Sequence, residues 1–261
     1  MISENRVKLR KLLSQWPSGT VGILPWLNKL GICQQLAYHY AQSGWLKKIG
    51  PGAYIKIGDT SDWMGGLFAL QAYLNLPIHL GGKSALEIAG YGHFISPEDK
   101  SDLYLFALPK TKLPSWFIHF EEQRKIIFKT SNLFLEKDFL GITKWDAPHF
   151  KINISSPERA ILEVLSLVPN HQSIEEASLL LEALGSLRSE LLQSLLENCH
   201  SIKVKRLFLA LSESFSHAWF DELKLENIDI GTGNRSIHPG GKLHPKYLIT
   251  LPNKNGDENG I

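Results

Sequence analysis

A cluster of polar side chains between residues 34 and 42 has the chemistry to recognise nucleic-acid bases. If this segment is helical, one side of it carries amides, a phenol and an imidazole, from Gln34, Gln35, Tyr38, His39 and Gln42. A glutamine amide can pair with adenine in the major groove. Tyrosine and histidine can reach backbone phosphates or base edges. The spacing therefore predicts a base-reading face, the alternative being an ordinary solvated face.

Basic side chains accompany this cluster. Arg10 and Lys11 precede it, and Lys47, Lys48 and Lys56 follow it. Residues 1–58 carry eight basic side chains and one acidic one, a balance of +7, whereas the rest of the chain has 20 basic and 25 acidic side chains, a balance of −5. A phosphate backbone attracts a positively charged segment selectively. We expect these five cations to contact DNA, the alternative being solvated surface charges.

The ten histidines and two cysteines form no familiar catalytic or metal-binding pattern. The sequence has no His-Glu-x-x-His, Walker-type loop, Gly-x-Ser-x-Gly or Cys-x-x-Cys motif. His238 and His244 flank a Pro-Gly-Gly turn without carboxylates or thiols at ligand spacing. Gly81 and Gly82 could cradle a phosphate before a helix, although tight packing is the commoner explanation. We expect no catalytic residues, no cofactor and no metal ion.

Three predicted helices and a hairpin position the polar cluster. The periodicity of apolar residues predicts helices over about 5–15, 24–30 and 33–43. Leu36, Ala37 and Tyr40 form the inner face of the third helix, and Cys33 is a weak residue for its N-cap. Residues 45–57 predict two short strands around a Gly-Pro-Gly turn. This order is typical of a winged helix-turn-helix, which we assign to residues 1–58.

A larger mixed α/β domain is predicted over residues 62–252, after a polar joint at 59–62, so that the whole chain is of the α+β class. Aromatic and β-branched residues predict strands at 103–108, 116–120, 125–130 and 150–154. Helices are predicted at 63–74, 83–89, from Pro157 onward after a Ser156 cap, and at 174–184, 187–198 and 203–215.

Three further features of this part of the chain carry predictions. Arg159, on an otherwise apolar helix, predicts a structural clamp that needs a carboxylate or carbonyl partner. The last predicted helix begins with Lys203, Lys205 and Arg206, which indicates a solvated helix end or, alternatively, a contact with a partner or nucleic acid. The polar, glycine-rich residues 253–261 predict a disordered tail.

Composition predicts a cytoplasmic protein. No uninterrupted apolar run approaches the roughly 18 residues of a membrane span. The first six residues are polar and lack the apolar core of a signal peptide. Two cysteines are too few for a disulfide framework.

Four segments resemble a known family in order and spacing. They are residues 44–54 (GWLKKIGPGAY), 79–87 (HLGGKSALE), 155–163 (SSPERAILE) and the pair 240–243 and 246–252 (GGKL and KYLITLP). Together they resemble the AbiEi-type antitoxins, which regulate type IV toxin–antitoxin systems. The resemblance spans roughly residues 5–252.

The resemblance implies two activities. The winged domain would repress the antitoxin–toxin operon by binding double-stranded DNA at inverted repeats in its promoter, as a monomer or with weak self-association on DNA. The second domain would neutralise a partner nucleotidyltransferase toxin without forming a stable complex. Two alternatives stay open: a winged-helix regulator with a small-molecule-sensing C-terminal domain, and a nucleic-acid-processing enzyme targeted by its winged domain.

Overall fold

The computed structural model describes residues 2–94, 102–120, 124–135, 139–237 and 240–252. His238 and the tail at 253–261, for which the sequence carries predictions, lie outside the described residues. The chain divides into two units by internal contacts. The first comprises Met1–Leu80, Ser101–Thr130 and Thr143–Ile154, and the second comprises Gly81–Lys100, Ser131–Ile142 and Ser155–Ile261.

The first unit begins with the predicted winged helix-turn-helix. Its elements are α1 (Ile2–Gln15), β1 (Gly22–Ile23), α2 (Leu24–Lys29), α3 (Gln34–Gln42), β2 (Leu46–Gly50) and β3 (Ala53–Lys56). The three strands form a small antiparallel sheet in the order β1-β3-β2. The hairpin of β2 and β3 is the wing. Strand β1, which the sequence does not predict, is the third strand and pairs with Ala53 and Tyr54, next to the hairpin turn.

A shared apolar core holds the three helices and the wing together. Leu12, Leu27, Ile32 and Ala37 are fully buried in it, and Tyr40 is 4% exposed. The hydroxyl of Tyr40 donates a hydrogen bond of 2.7 Å to the carbonyl oxygen of Asn5, which fixes α3 against α1. The inner face predicted for α3 is therefore confirmed at Ala37 and Tyr40, with Leu36 partly buried beside them.

The rest of the first unit is a helix, a mixed sheet and a second short helix. Helix α4 (Trp63–Phe68) continues into a wider turn at Ala69–Tyr73. Five strands follow in the spatial order β6-β5-β4-β8-β7. Their bounds are Ile78–Leu80 for β4, Leu103–Ala107 for β5, Ile126–Thr130 for β6, Ile142–Asp146 for β7 and Lys151–Ser155 for β8. The pair β4/β5 is antiparallel, whereas β4/β8 and β5/β6 are parallel, as expected for a mixed sheet.

One predicted strand is wrong. Residues 116–120 belong to a short helix, α6 (Ser115–Phe120), and not to the sheet. Pro114 starts this helix, because its carbonyl oxygen accepts the N–H groups of Phe117 at 3.0 Å and Ile118 at 3.4 Å. The aromatic residues that favour a strand instead form a short helix, in which the neighbouring side chains of Trp116 and Phe117 are buried.

The polar joint at residues 59–62 lies inside the first unit. Asp59 accepts the N–H of Gly19 at 3.0 Å, and the hydroxyl of Ser61 donates to the carbonyl oxygen of Gly19 at 2.8 Å. Asp62 caps α4 by accepting the N–H groups of Met64 and Gly65. These bonds tie the winged helix-turn-helix to the residues that follow it, so the compact unit extends beyond residue 58.

The second unit is mainly helical. Its helices are α5 (Gly82–Leu86), α7 (Pro157–Leu167), α8 (Ile174–Ala183), α9 (Ser189–Asn198), α10 (Ile202–Ser212) and α11 (Ala218–Asp221). A three-stranded sheet of β9 (Arg235–Ser236), β10 (Lys242–Leu243) and β11 (Ile249–Leu251) has the order β10-β11-β9. Helix α7 lies at the centre: Ala160, Ile161, Leu162, Val164 and Leu165 are all fully buried. Ser156 precedes α7 as predicted, but its side chain makes no capping hydrogen bond.

At the basic start of α10, Lys205 and Arg206 are buried, and Lys203 is partly buried and bonded within the protein, so both interpretations of this helix end from the sequence are wrong. Lys203 donates to the carbonyl oxygens of Ser166 and Val168, and burial lowers its pKa. Lys205 is 4% exposed and Arg206 is fully buried. The Arg206 guanidinium donates to the carbonyl oxygens of Ile230 at 2.7 Å and of Gly233 and Leu248, which joins α10 to the C-terminal sheet.

Among the helices of the described ranges, none combines the length and the apolar character that a membrane crossing needs.

Candidate nucleic-acid interface

The outer face of α3 carries every side chain that the sequence assigns to base recognition. Gln34, Gln35, Tyr38, His39 and Gln42 are all exposed. Tyr38 is 56% exposed, which is unusual for a large aromatic side chain. Because Ala37 and Tyr40 anchor the opposite face, the helix presents these polar groups to solvent at a fixed rotation.

The N-terminus of α3 is open. Cys33 occupies the N-cap position with extended backbone angles, φ −70° and ψ 168°, and its side chain makes no capping hydrogen bond. The first hydrogen bond into the helix runs from the N–H of Ala37 to the carbonyl oxygen of Cys33 at 2.9 Å. Among the described residues, no side chain accepts the N–H groups of the first turn, as the weak cap predicts.

The register of the wing places its two adjacent lysines on opposite faces. Lys48 pairs with Tyr54 and Lys47 pairs with Ile55 across β2 and β3. Directly opposed residues of an antiparallel pair point to the same face, and successive residues point to opposite faces. Lys48 therefore shares a face with Tyr54, and Lys47 shares the other face with Ile55. Both lysines are exposed.

An open pocket of about 530 Å³ lies between α3 and the wing. Six residues line it: Cys33, Gln34, Gln35, Tyr38, Lys48 and Tyr54. We call this site the α3–wing pocket. It brings together four of the predicted DNA-binding residues with two that the sequence analysis did not assign to the site, Cys33 and Tyr54. Tyr54 could not be placed from the Gly-Pro-Gly turn alone, because the pairing of β2 with β3 is shifted between Lys48 and Gly50.

The other predicted contacts lie outside this pocket. His39 and Gln42 are exposed farther along α3, Lys47 is on the opposite face of the wing, and Arg10 and Lys11 are exposed on α1. Lys56 is occupied within the fold. Its ammonium group donates to the carbonyl oxygen of Trp16 at 3.1 Å and forms an ion pair with Asp59 at 3.4 Å.

Positive charge dominates the electrostatics of the winged region. Its single carboxylate, Glu4, forms an ion pair of 2.8 Å with Lys8 one turn along α1. The hydrogen bond and charge of Lys8 lower the pKa of Glu4. Burial raises the pKa of Tyr54, so its hydroxyl keeps its proton at neutral pH and can donate a hydrogen bond.

Helix α6 supports the wing from the rest of the first unit. A Cβ atom added to Gly50 would lie 2.6 Å from the Cβ atom of Trp116, which shows how closely β2 and α6 approach. At the tip, Gly52 adopts a left-handed φ of +69°, which a glycine tolerates without strain. Near its turn the wing is therefore held by β1, which pairs with Ala53 and Tyr54, and by Trp116, which lies against Gly50.

The phosphate cradle considered at Gly81 and Gly82 is filled by the protein itself. The N–H of Gly82 donates to the Glu163 carboxylate at 3.0 Å, in the place where a phosphate would sit at the start of α5. Glu163 also accepts hydrogen bonds from Ser155 at 2.8 Å and Arg159 at 2.9 Å. A second Arg159 nitrogen donates to the carbonyl oxygen of Leu140 at 2.7 Å, so the predicted structural clamp is confirmed.

A further ion pair in the second unit involves a buried carboxylate. Both oxygens of Glu158 accept hydrogen bonds of 3.0 Å from the Arg188 guanidinium, and one also accepts the Arg188 backbone N–H. Burial alone would raise the pKa of Glu158, but the hydrogen bonds from Arg188 outweigh it and lower the pKa to about 2.

Within the described ranges, no three or more His, Cys, Asp or Glu side chains form a group that could hold a metal ion.

Comparisons with known proteins cover both parts of the chain. A family model described as the N-terminal domain of the AbiEi antitoxin transcriptional regulator matches residues 5–97. A second, described as a transcriptional regulator and AbiEi antitoxin of a type IV toxin–antitoxin system, matches residues 100–252. No curated protein matches the chain.

A solved structure has the same overall fold. The crystal structure of the RV2827C protein from Mycobacterium tuberculosis superposes with a TM-score of 0.59 at 15% sequence identity. The match covers 92% of this chain and 88% of that chain. At this identity the likeness concerns the fold alone.

Proposed function

The chain belongs to the AbiEi family of transcriptional regulators and antitoxins of type IV toxin–antitoxin systems, and from this premise we propose that it is a DNA-binding autorepressor. It binds inverted repeats in the promoter of its own operon, one copy on each repeat, as a monomer or with weak self-association on the DNA. Helix α3 enters the major groove, and the wing lies along the phosphate backbone.

The observation that carries this proposal is the composition of one exposed surface. Helix α3 presents amides and a phenol, Lys48 stands beside them, and the only carboxylate within residues 1–58 is paired with Lys8 on α1. Amides discriminate bases by paired hydrogen bonds, whereas an ammonium group attracts phosphate without regard to sequence. We assign base contacts to Gln34, Gln35, Tyr38, His39 and Gln42 and backbone contacts to Lys48, Arg10 and Lys11. Lys47, on the opposite face of the wing, contributes only a longer-range attraction to the backbone. Lys56, which is occupied by Asp59, is left out of this surface.

A binding experiment with two duplexes tests the assignment. We expect the full-length protein to bind its promoter duplex more tightly than a scrambled duplex, measured by fluorescence anisotropy at several salt concentrations. Gln35→Ala should lower the ratio of the two affinities about tenfold, because one paired base contact is lost. Lys144→Ala, which removes an exposed lysine from β7, is the matched surface control. Equal binding of both duplexes by the wild-type protein would contradict the proposal.

The second part of the proposed function is neutralisation of a nucleotidyltransferase toxin without a stable complex. Family membership supports it, and we assign it to the second unit. The buried networks of Glu163 and Glu158 are structural in this interpretation, and no catalytic role is proposed for them. Co-expression of the full-length protein with the nucleotidyltransferase encoded beside it should restore growth. Continued growth arrest, with the protein present and folded, would remove this part of the proposal.

A further inference from the structure

The α3–wing pocket collects hydrogen-bond donors of three kinds at one point. They are backbone N–H groups at the start of α3, an ammonium group from β2 and a phenol from β3. None of the six described residues that line the pocket carries a carboxylate. A site of this composition favours a small anionic group with several acceptor oxygens.

The unusual residue at the N-cap keeps the backbone donors available. A Ser, Thr, Asp or Asn side chain in this position would accept an N–H of the first turn. The Cys33 thiol is a poor acceptor and makes no such bond, so the positive end of the α3 dipole opens into the pocket. The nine-residue helix therefore lacks the internal cap that would compete with an external anion.

Tyr54 is the independent indication that a ligand binds here. Only 3% of Tyr54 is exposed, and the residue lines the pocket. Within the described residues, its hydroxyl has no hydrogen-bond partner in the protein. A buried phenol is ordinarily hydrogen-bonded. The register places this hydroxyl-bearing residue directly opposite Lys48, on the same face of the wing.

We infer that the α3–wing pocket binds one phosphate group of the DNA backbone, next to the bases that α3 contacts. The N–H groups of Gln34 and Gln35, the Lys48 ammonium group and the Tyr54 hydroxyl are its donors. This inference rests on the proposed DNA binding and adds to it a defined phosphate site that fixes the register of α3 in the groove. The Gln34 and Gln35 side chains remain available for bases, because their backbone groups serve the phosphate.

Two substitutions of Cys33 separate charge from capping. Cys33→Asp and Cys33→Asn both supply an N-cap acceptor of similar size, so both should raise Tm. Only Cys33→Asp adds a negative charge to the pocket, and it should weaken binding to promoter and scrambled duplexes alike by about tenfold more than Cys33→Asn does. A structural role for Cys33 would make stability and affinity change in the same direction, whereas a phosphate site makes Cys33→Asp more stable and weaker in binding.

The second test pairs Tyr54→Phe with chemically altered DNA. Tyr54→Phe keeps the buried ring and removes the hydroxyl, and it should lower affinity about tenfold for both duplexes. Each promoter duplex carries one neutral methylphosphonate linkage, at a different position in each duplex. At one position in each repeat, this linkage should weaken binding of the wild-type protein. The same linkage should weaken binding of Tyr54→Phe by a smaller factor than it weakens binding of the wild-type protein, because one of the donors to that phosphate is already missing.

The outcomes distinguish this inference from the proposed function. If the wild-type protein binds the promoter and Gln35→Ala alters its sequence preference, but Cys33→Asp and Tyr54→Phe bind as the wild type does, only the phosphate site is wrong. If the wild-type protein binds neither duplex, both proposals are wrong. A rise in Tm with inorganic phosphate that Tyr54→Phe abolishes, together with unchanged DNA binding, would assign the pocket to a free anion and overturn the inference.

Discussion

Lys47 and Lys48 are adjacent in sequence and equally exposed, yet the pairing of β2 with β3 gives them different surroundings. Lys48 lies with Tyr54 beside α3, whereas Lys47 lies with Ile55 on the opposite face. The charge pattern of the sequence predicts both as DNA contacts and does not distinguish them. The distinction depends on strand register, which a run of two lysines does not contain.

This difference predicts unequal effects on DNA binding. Lys48→Ala should weaken binding to promoter and scrambled duplexes equally and reduce the slope of log affinity against log salt by about 1, because one phosphate contact is lost. Lys47→Ala, which removes the same charge from the other face, should have a clearly smaller effect on both quantities. Salt titrations by fluorescence anisotropy measure them. A larger effect of Lys47→Ala would place the DNA on the other face of the wing.

Glu158 predicts a specific dependence of stability on pH. Its pKa of about 2 in the folded protein lies below its ordinary value of 4.5, so its contribution is complete above pH 4.5 and is lost as the pH falls from 4.5 to 2. Glu158→Gln should lower the free energy of unfolding by about 2 kcal/mol at pH 7, and this difference should shrink at pH 3.

Urea denaturation at the two pH values measures this effect. Glu190→Gln, which neutralises an exposed carboxylate on α9, is the control and should leave the pH dependence of unfolding nearly unchanged. A Glu158→Gln variant as stable as the wild-type protein at pH 7 would show that the bidentate contact with Arg188 contributes little.

At the scale of elements, the position of the wing depends on a close approach between β2 and α6. Gly50→Ala places a Cβ atom 2.6 Å from that of Trp116, so one of the two elements has to move. We expect the free energy of unfolding to fall by about 1–3 kcal/mol and DNA affinity to fall with it, because the displaced wing carries Lys48 and Tyr54.

Gly185→Ala is the matched control for this substitution. The nearest atom to its added Cβ is 3.9 Å away, which is ordinary contact, so it should be almost neutral in stability. Thermal unfolding and anisotropy on the same preparations measure both effects. Unchanged stability and unchanged DNA affinity in Gly50→Ala would show that α6 does not position the wing.

Local patterns in the sequence account for the three helices and the hairpin of the winged region and for the exposed face of α3. Helical periodicity, the Gly-Pro-Gly turn and the missing cap at Cys33 all act within a few residues, so they can be recognised without tertiary information. Helix α6 could not be recognised in this way. Its six residues make fewer than two turns, and their aromatic and β-branched side chains favour strands.

The burial of charged side chains was the other feature that could not be predicted from the sequence. Lys203, Lys205 and Arg206 have the composition of a solvated helix end, but carbonyl groups from distant segments surround Lys203 and Arg206. Sequence spacing carries no information about such partners. The same limit applies to Tyr54, whose place in the α3–wing pocket follows from pairing across the hairpin rather than from its neighbours in the chain.

At the scale of the whole molecule, the proposed function assigns DNA binding and neutralisation to residues in different units. The double variant Gln35→Ala/Lys48→Ala in the full-length protein should therefore lose repression of a promoter–reporter fusion and still restore growth when the nucleotidyltransferase is co-expressed. Unchanged Tm would confirm that the variant is folded. Loss of growth rescue in a folded variant would show that neutralisation needs the DNA-binding surface.

The chain crosses between its two units five times, and the last crossing follows Ile154. A stop codon or frameshift anywhere before that point removes parts of both units at once. Under the proposed function, such a lesion would release the operon from repression and end neutralisation of the toxin in the same event, so the toxin would act on the lineage that carries the lesion.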